Sequence, residues 1–225
     1  MYISRGSFWS TIPPVIKNLV IINAIMMLVT LLTGNFMFEK FALFYFKSPF
    51  FEPYQIISHM FMHGNLWHLL FNMYALVMFG MALEHVWGSK KFLIFYLVTG
   101  IGAALLHMFA LHIEATSYAA AAEAGNMVAL TDLRQLISTP TVGASGAVYG
   151  VLLGYGMLFP NNIIRMLFPP IALKAKWLVV AFGVIELVLG ISGSGSNIAH
   201  FAHLGGMIFG FLLILYWKKN NRMYY

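Results

Sequence analysis

The chain has 225 residues, 60% of them hydrophobic and only 9% charged, with a mean hydropathy of +0.81. That balance excludes an ordinary water-soluble domain, in which about a quarter of residues carry charge. A net charge of +6 would suit nucleic acid in a soluble protein, but here the basic residues sit in short segments between apolar runs, where membrane topology accounts for them.

A helix needs about 20 mostly apolar residues to cross ~30 Å of hydrocarbon. Six apolar runs follow one another: Val15 to Thr33, Leu66 to Val86, Phe92 to Ile113, Ser145 to Phe159, Trp177 to Ile191 and Phe201 to Trp217. They predict an all-α polytopic membrane protein with six transmembrane helices in a single domain, 1–225. Met1 to Trp9 carries no small-x-small cleavage signal, so the first run is read as an uncleaved span. Between the first and second runs, Asn35 to Ile57 is crowded with Phe and Tyr and broken by Pro49 and Pro53, and is expected to lie partly in the interface. Between the third and fourth runs, Glu114 to Val142 predicts a short helix ending before Pro140. No internal repeat is evident.

With both termini in the cytoplasm, Arg5, Lys17, Lys90, Lys91, Arg165, Lys174, Lys176, Lys218, Lys219 and Arg222 fall inside, against Lys40, Lys47 and Arg134 outside. The positive-inside rule selects that orientation. Trp9, Trp67, Trp87, Trp177 and Trp217 all fall near span ends and are expected to anchor the interface.

The chemistry is concentrated in the fourth and sixth runs. Gly143-Ala144-Ser145-Gly146 opens the fourth, and Gly146, Gly150 and Gly154 continue it as a smooth stripe; Gly206 and Gly210 form a matching pair in the sixth. Such stripes let two helices approach closely, and Gly143, Gly146, Gly150, Gly206 and Gly210 are the expected packing positions. Ser145 precedes its stripe by one residue and His203 precedes its own by three, a depth difference of about 3 Å. A serine hydroxyl becomes a nucleophile only with a base in hydrogen-bond reach, and this places an imidazole there. Ser145 is the expected nucleophile and His203 its base, with Tyr149 one turn below against the ring. Glu186 is read as mid-span at the wrong depth and Glu84 as near the cytoplasmic face, leaving a dyad without a carboxylate. His63, His68 and Asn72, spaced HxxxxHxxxN at the second run, supply donors for an oxyanion beside the backbone N–H of Ser145. The fourth run, about 15 residues, is too short to cross the hydrocarbon, so its outer end lies below the surface, beneath a water-filled depression.

These residues together resemble the rhomboid intramembrane serine proteases in their six-span bacterial form, over nearly the whole chain. The resemblance rests on Gly143-Ala144-Ser145-Gly146, on His203-x-x-Gly206-x-x-x-Gly210, and on His63, His68 and Asn72. It implies that Ser145 is the nucleophile, His203 its base, His68 and Asn72 oxyanion donors, and Tyr149 a support for the ring. It also implies a gate at spans two and five, and partners that are transmembrane segments of other proteins within the lipid, cleaved near the outer face, with no cofactor, no metal and no nucleic acid. A bacterial plasma membrane is the expected location. One departure stands out: many rhomboids carry a Trp-Arg pair in the first external loop, where this chain reads Tyr54-Gln55.

Other readings compete. A serine in a membrane helix more often serves packing than catalysis, but not with a histidine at matched depth. A catalytically inactive rhomboid-like protein that binds membrane clients is the alternative, although such proteins usually lose the serine or histidine. A transporter would show paired charges along several spans and inverted repeats. His59 and His63 lack the HExxH context of a zinc protease, and Asp132, the only aspartate, lies in a loop, which excludes an aspartyl protease. His200 is read as interfacial and the 15 methionines as pliable core filling.

Overall fold

The computed structural model describes residues 8–165, 170–192 and 197–220, without the side chains of Phe8, Asn197 and Ile198. Arg5 and Arg222, two of the charges used for orientation, lie outside the described residues. The elements run α1 (Phe8–Thr11), α2 (Pro14–Thr33), α3 (Asn35–Phe41), α4 (Gln55–Ser58), a 3-10 turn (His59–Phe61), α5 (Leu66–Trp87), α6 (Ser89–Glu123), α7 (Met127–Ser138), α8 (Ser145–Leu158), β1 (Ile163–Arg165), β2 (Ala172–Lys174), α9 (Ala175–Ile191) and α10 (Asn197–Lys219). Among the described residues the fold is helical, apart from an antiparallel hairpin between α8 and α9 that pairs Ile164 with Leu173 and a single bridge between Leu43 and Thr141. An all-α expectation therefore misses one short ladder.

Local chemistry sets the helix ends. Pro14 opens α2, where its missing N–H costs nothing. Asn65 caps α5 by accepting the His68 N–H at 2.8 Å, and Asn126 caps α7 by accepting from Val128 and Ala129. Gly88, at φ 75°, ends α5, and α6 starts at the next residue, so the second and third long helices are joined by a single left-handed position. The third helix runs ten residues beyond its expected end at Ile113, because the Ala-rich stretch after it is itself helix-forming.

Helices α2, α5, α6 and α10 are long and apolar enough to cross a bilayer, and they make this an integral multi-pass membrane protein. The first shows why: Ile16, Leu19 and Met27 point inward while Ile21, Ile25, Leu28 and Leu32 are exposed, an arrangement that only lipid tolerates. Helix α8, with 14 residues, spans only about 21 Å. It is surrounded by α5, α6, α9 and α10, while α5 and α9 flank it with little packing between them.

Glycines bring the centre together. A Cβ on Gly206 would overlap the carbonyl oxygen of Gly146, and one on Gly210 would lie 3.5 Å from the Gly150 Cα. The third helix shares the contact, with Thr99 and Ala103 against Gly150 and Gly146. At the opposite end, Trp87 and Trp217 pack edge to face at 5.3 Å, beside Phe95. Both indoles are buried, so they are core residues and not interface anchors, unlike the exposed Trp9, Trp67 and Trp177. Glu84 is buried at this same end, where it accepts from Val15 N–H (2.9 Å), Ile16 N–H (3.0 Å) and the Ser89 hydroxyl (2.7 Å). Its carboxylate thus neutralises the positive end of α2 and ties together three helices.

The segment between α3 and α5 is folded onto α6 and α7. Leu43 and Thr141 exchange both backbone hydrogen bonds at 2.8 Å, and Leu43, Tyr45, Met108 and Leu111 share a buried cluster. Phe46, Phe50 and Tyr54 remain exposed. Where the Trp-Arg pair is absent, Gln55 is fully buried: it accepts the N–H groups of Phe44 and Glu52 and donates to the carbonyls of Lys40 and Phe50. One amide side chain thereby holds the loop closed.

Candidate active site

Ser145 is the first residue of α8. The turn before it needs Gly143, which sits at φ 131° with its N–H bonded to the His59 carbonyl at 3.0 Å. A Cβ there would stand 2.9 Å from Cε1 of His68 and 3.6 Å from Oγ of Ser145. Gly143 therefore serves the approach of the His68 ring to the serine, and not the helix packing expected of it; Gly146, Gly150, Gly206 and Gly210 do serve packing. Ala144 offers no side-chain cap, so no capping side chain occupies the positive end of α8.

The glycine contact sets α8 against α10, and the Nε2 of His203 comes to 2.9 Å from the Oγ of Ser145. Tyr149, one turn below the serine, stacks on the His203 ring at 4.2 Å with an interplanar angle of 5°. A cavity of about 50 Å³ borders Gly143, Ser145, Gly146 and His203, room enough for water at the hydroxyl.

Among the donors expected around an oxyanion, His68 lies against the Gly143 turn that leads into the serine. Its Nδ1 accepts a weak 3.5 Å hydrogen bond from Gly64 N–H, which leaves Nε2–H toward Gly143. His63 lies in the loop before α5, fully buried, its ring edge-on to His68 at 5.0 Å, so it backs that ring without reaching the serine. Burial, with the nearby His68 adding to it, pushes the His63 imidazole down to about 4. Asn72 is buried and donates to the His68 carbonyl at 2.9 Å; no hydrogen bond joins it to Ser145 or His203 among the described residues. His59 donates from Nδ1 to the Gln55 carbonyl at 2.9 Å, and burial lowers it to about 4 as well.

Two residues were misplaced by sequence reasoning. Glu186 is not mid-span but five residues from the end of α9 at Ile191, about 8 Å along the axis. The contacts of its carboxylate put it at the level of Tyr149 and His203. The Tyr149 hydroxyl donates to Glu186 Oε1 in a short hydrogen bond. His200, expected at the interface, has Nδ1 2.6 Å from Glu186 Oε2, and His203 Nδ1 is 3.0 Å from the same oxygen, at ion-pair distance though out of line for a hydrogen bond. The available signal was the carboxylate itself, since an ionisable group inside an apolar helix is a functional candidate by default. Glu186, His200 and His203 are also a donor set known for zinc, but gaps of 2.6 and 3.0 Å are closer than the roughly 3.3 Å between two ligands of one tetrahedral zinc ion.

Residues 51–220 match the rhomboid domain profile. The chain is 31% identical to the rhomboid protease AarA of Providencia stuartii over 68% of its own length and 52% of the relative's. It is 30% identical to rhomboid protein 1, mitochondrial, of Saccharomyces cerevisiae, covering 73% of this chain and 42% of that one. The presenilin-associated rhomboid-like protein, mitochondrial, of Bos taurus is 28% identical over 72% of this chain and 38% of its own. The chain thus spans about half, or less, of these relatives. A profile matched from the loop before α5 to the end of α10, around a serine and a histidine in contact, leaves one conclusion: the chain belongs to the rhomboid family.

Proposed function

We propose that this protein is an intramembrane serine endopeptidase that cleaves transmembrane segments of other membrane proteins near the outer face through a dyad of Ser145 and His203. The observation that carries the reading is the 2.9 Å contact between Ser145 Oγ and His203 Nε2 at the start of a helix too short to cross the bilayer. Ser145 Oγ attacks the scissile carbonyl carbon while its proton passes to His203 Nε2. The oxyanion formed is met by the Ser145 N–H and by His68 Nε2–H, with Asn72 as a further donor once a substrate displaces it from its own helix. His203 then gives the proton to the leaving nitrogen, and water hydrolyses the acyl-serine by the same steps. Substrate is admitted laterally between α5 and α9, which flank α8 but barely touch. Both termini face the cytoplasm, the site faces outward, and residues 1–225 form one domain in a bacterial plasma membrane.

Cleavage of a labelled single-span substrate by the purified protein in lipid tests this. Ser145→Ala and His203→Ala should each lower the rate by about 10⁴-fold or more, and a fluorophosphonate should label Ser145. Cleavage that survives in both variants would overturn the reading. An inactive client-binding protein would instead retain substrate helices equally well with and without Ser145.

A further inference from the structure

Glu186 is almost fully buried on α9, whose outward residues Val180, Val184, Val188 and Ile191 are all apolar. Taking a carboxylate out of water is costly unless donors replace the lost solvent. Three converge here: the Tyr149 hydroxyl on Oε1, and Nδ1 of His200 and Nδ1 of His203 on Oε2. An ionised carboxylate can only accept, so both imidazoles present N–H at Nδ1. For His203 there is no other candidate among the described residues, where its buried Nδ1 has no hydrogen-bond partner elsewhere.

The consequence falls on the other nitrogen. A neutral imidazole with its proton on Nδ1 has a bare Nε2, and Nε2 is the atom 2.9 Å from Ser145 Oγ. The opposite tautomer would aim a lone pair at the carboxylate and an N–H at the serine oxygen, and could take no proton from it.

We propose that Glu186 is the positioning residue of the Ser145–His203 pair: its carboxylate holds His203 as the Nδ1–H tautomer and stabilises the imidazolium that forms during attack. The inference rests on the reading of Ser145 and His203 as the reacting pair. Glu186 takes no proton itself; the proton moves from Ser145 Oγ to His203 Nε2 as the Oγ–C bond forms, and from there to the leaving nitrogen as the C–N bond breaks. The resting 3.0 Å contact is out of line, and charge on the ring strengthens it, so the attraction is greater in the transition state than in the ground state. Tyr149 and His200 have different tasks. Tyr149 fixes the plane of the His203 ring by stacking and anchors Oε1, while His200 fills the remaining side of Oε2 from the partly exposed edge of the cluster.

The test uses the full chain in lipid nanodiscs with ¹⁵N-labelled histidine, at about pH 8 where an ordinary imidazole is neutral. The wild-type spectrum should show His203 protonated on Nδ1 and bare on Nε2, and Glu186→Gln should lose that preference. Cleavage by Glu186→Gln should show kcat lowered about a hundredfold with KM within about a factor of two, and fluorophosphonate labelling of Ser145 slowed in parallel. Glu186→Asp, shorter but charged, should retain more activity than the isosteric Gln variant, whereas a purely structural hydrogen-bonding role would give the reverse order. A wild-type His203 protonated on Nε2, a Gln variant as active as the Asp variant, or wild-type activity abolished by EDTA and restored by zinc would each overturn the proposal. The wild-type tautomer decides even where a variant fails to accumulate. Ser145→Ala run beside them separates the two claims: its activity would defeat the protease reading, while the tautomer still reports on Glu186.

Discussion

Among the described residues two glutamates are buried inside apolar helices, 2% exposed at Glu84 and 4% at Glu186, and the bundle treats them differently. Glu84 meets two backbone N–H groups and a serine hydroxyl, donors that hold their protons at every ordinary pH. Glu186 meets a phenol and two imidazoles beside a serine. Burial alone does not tell a structural carboxylate from a functional one; the donors around it do. A carboxylate held by fixed dipoles at a helix end joins helices, and one held by groups that exchange protons can act on the reaction next to it.

The contrast can be broken most severely through the helix contact that creates the Glu186 end. Gly206→Val would force α10 away from α8, because any Cβ overlaps the Gly146 carbonyl; a loss of about 4 kcal/mol or more is expected in thermal unfolding, together with activity. A loss below about 1 kcal/mol would mean that these backbones are not in contact.

Glu84→Gln sharpens the comparison from the other end. It weakens a charge-assisted cluster far from the serine and should cost about 3 kcal/mol of stability, with kcat per fluorophosphonate-labelled serine unchanged. A tenfold fall in that normalised kcat would show the two glutamates to be coupled.

Smaller effects are expected in the segment before α5, where the His59 carbonyl holds the Gly143 turn. His59 is neutral and buried, lowered from the usual 6.5 to about 4. Above pH 6.5 it is neutral both folded and unfolded, and its contribution to stability is complete. As pH falls from about 6.5 to about 4 the unfolded chain takes up a proton that the folded one refuses, so stability is lost, by about 2 kcal/mol at pH 5. Thermal unfolding of Ser145→Ala protein between pH 8 and pH 5 measures this, and His59→Gln should flatten that part of the profile, His63 contributing the rest. A pH-independent midpoint would contradict the burial of both rings.

Gln55→Ala removes four hydrogen bonds from the loop and should speed hydrogen exchange at the amides of Phe44 and Glu52 about tenfold, with the helices unaffected. Unchanged exchange would mean that the Leu43–Thr141 pairing alone holds the loop.

What the chain determined by itself is what depends on neighbours in sequence or on a fixed helical repeat. The six apolar helices, the short α7 before Pro140, the shortness of α8 and the matched offsets of Ser145 and His203 all follow from run length, capping residues and glycine spacing, because a helix has one rise per residue and one set of faces. What the tertiary structure decided is how each helix is rotated and how deep it sits, which no repeat encodes. Rotation turned Trp87 and Trp217 toward each other and away from the interface, and brought His200 onto Glu186. The relative axial placement of α9 and α10 put Glu186 level with His203, although its position along α9 alone had seemed to leave it out of reach. The loop shows the same division: its aromatic crowding was legible, but the burial of Gln55 depends on four backbone groups spread irregularly between Lys40 and Glu52, and no helical or strand repeat predicts that they converge on one side chain.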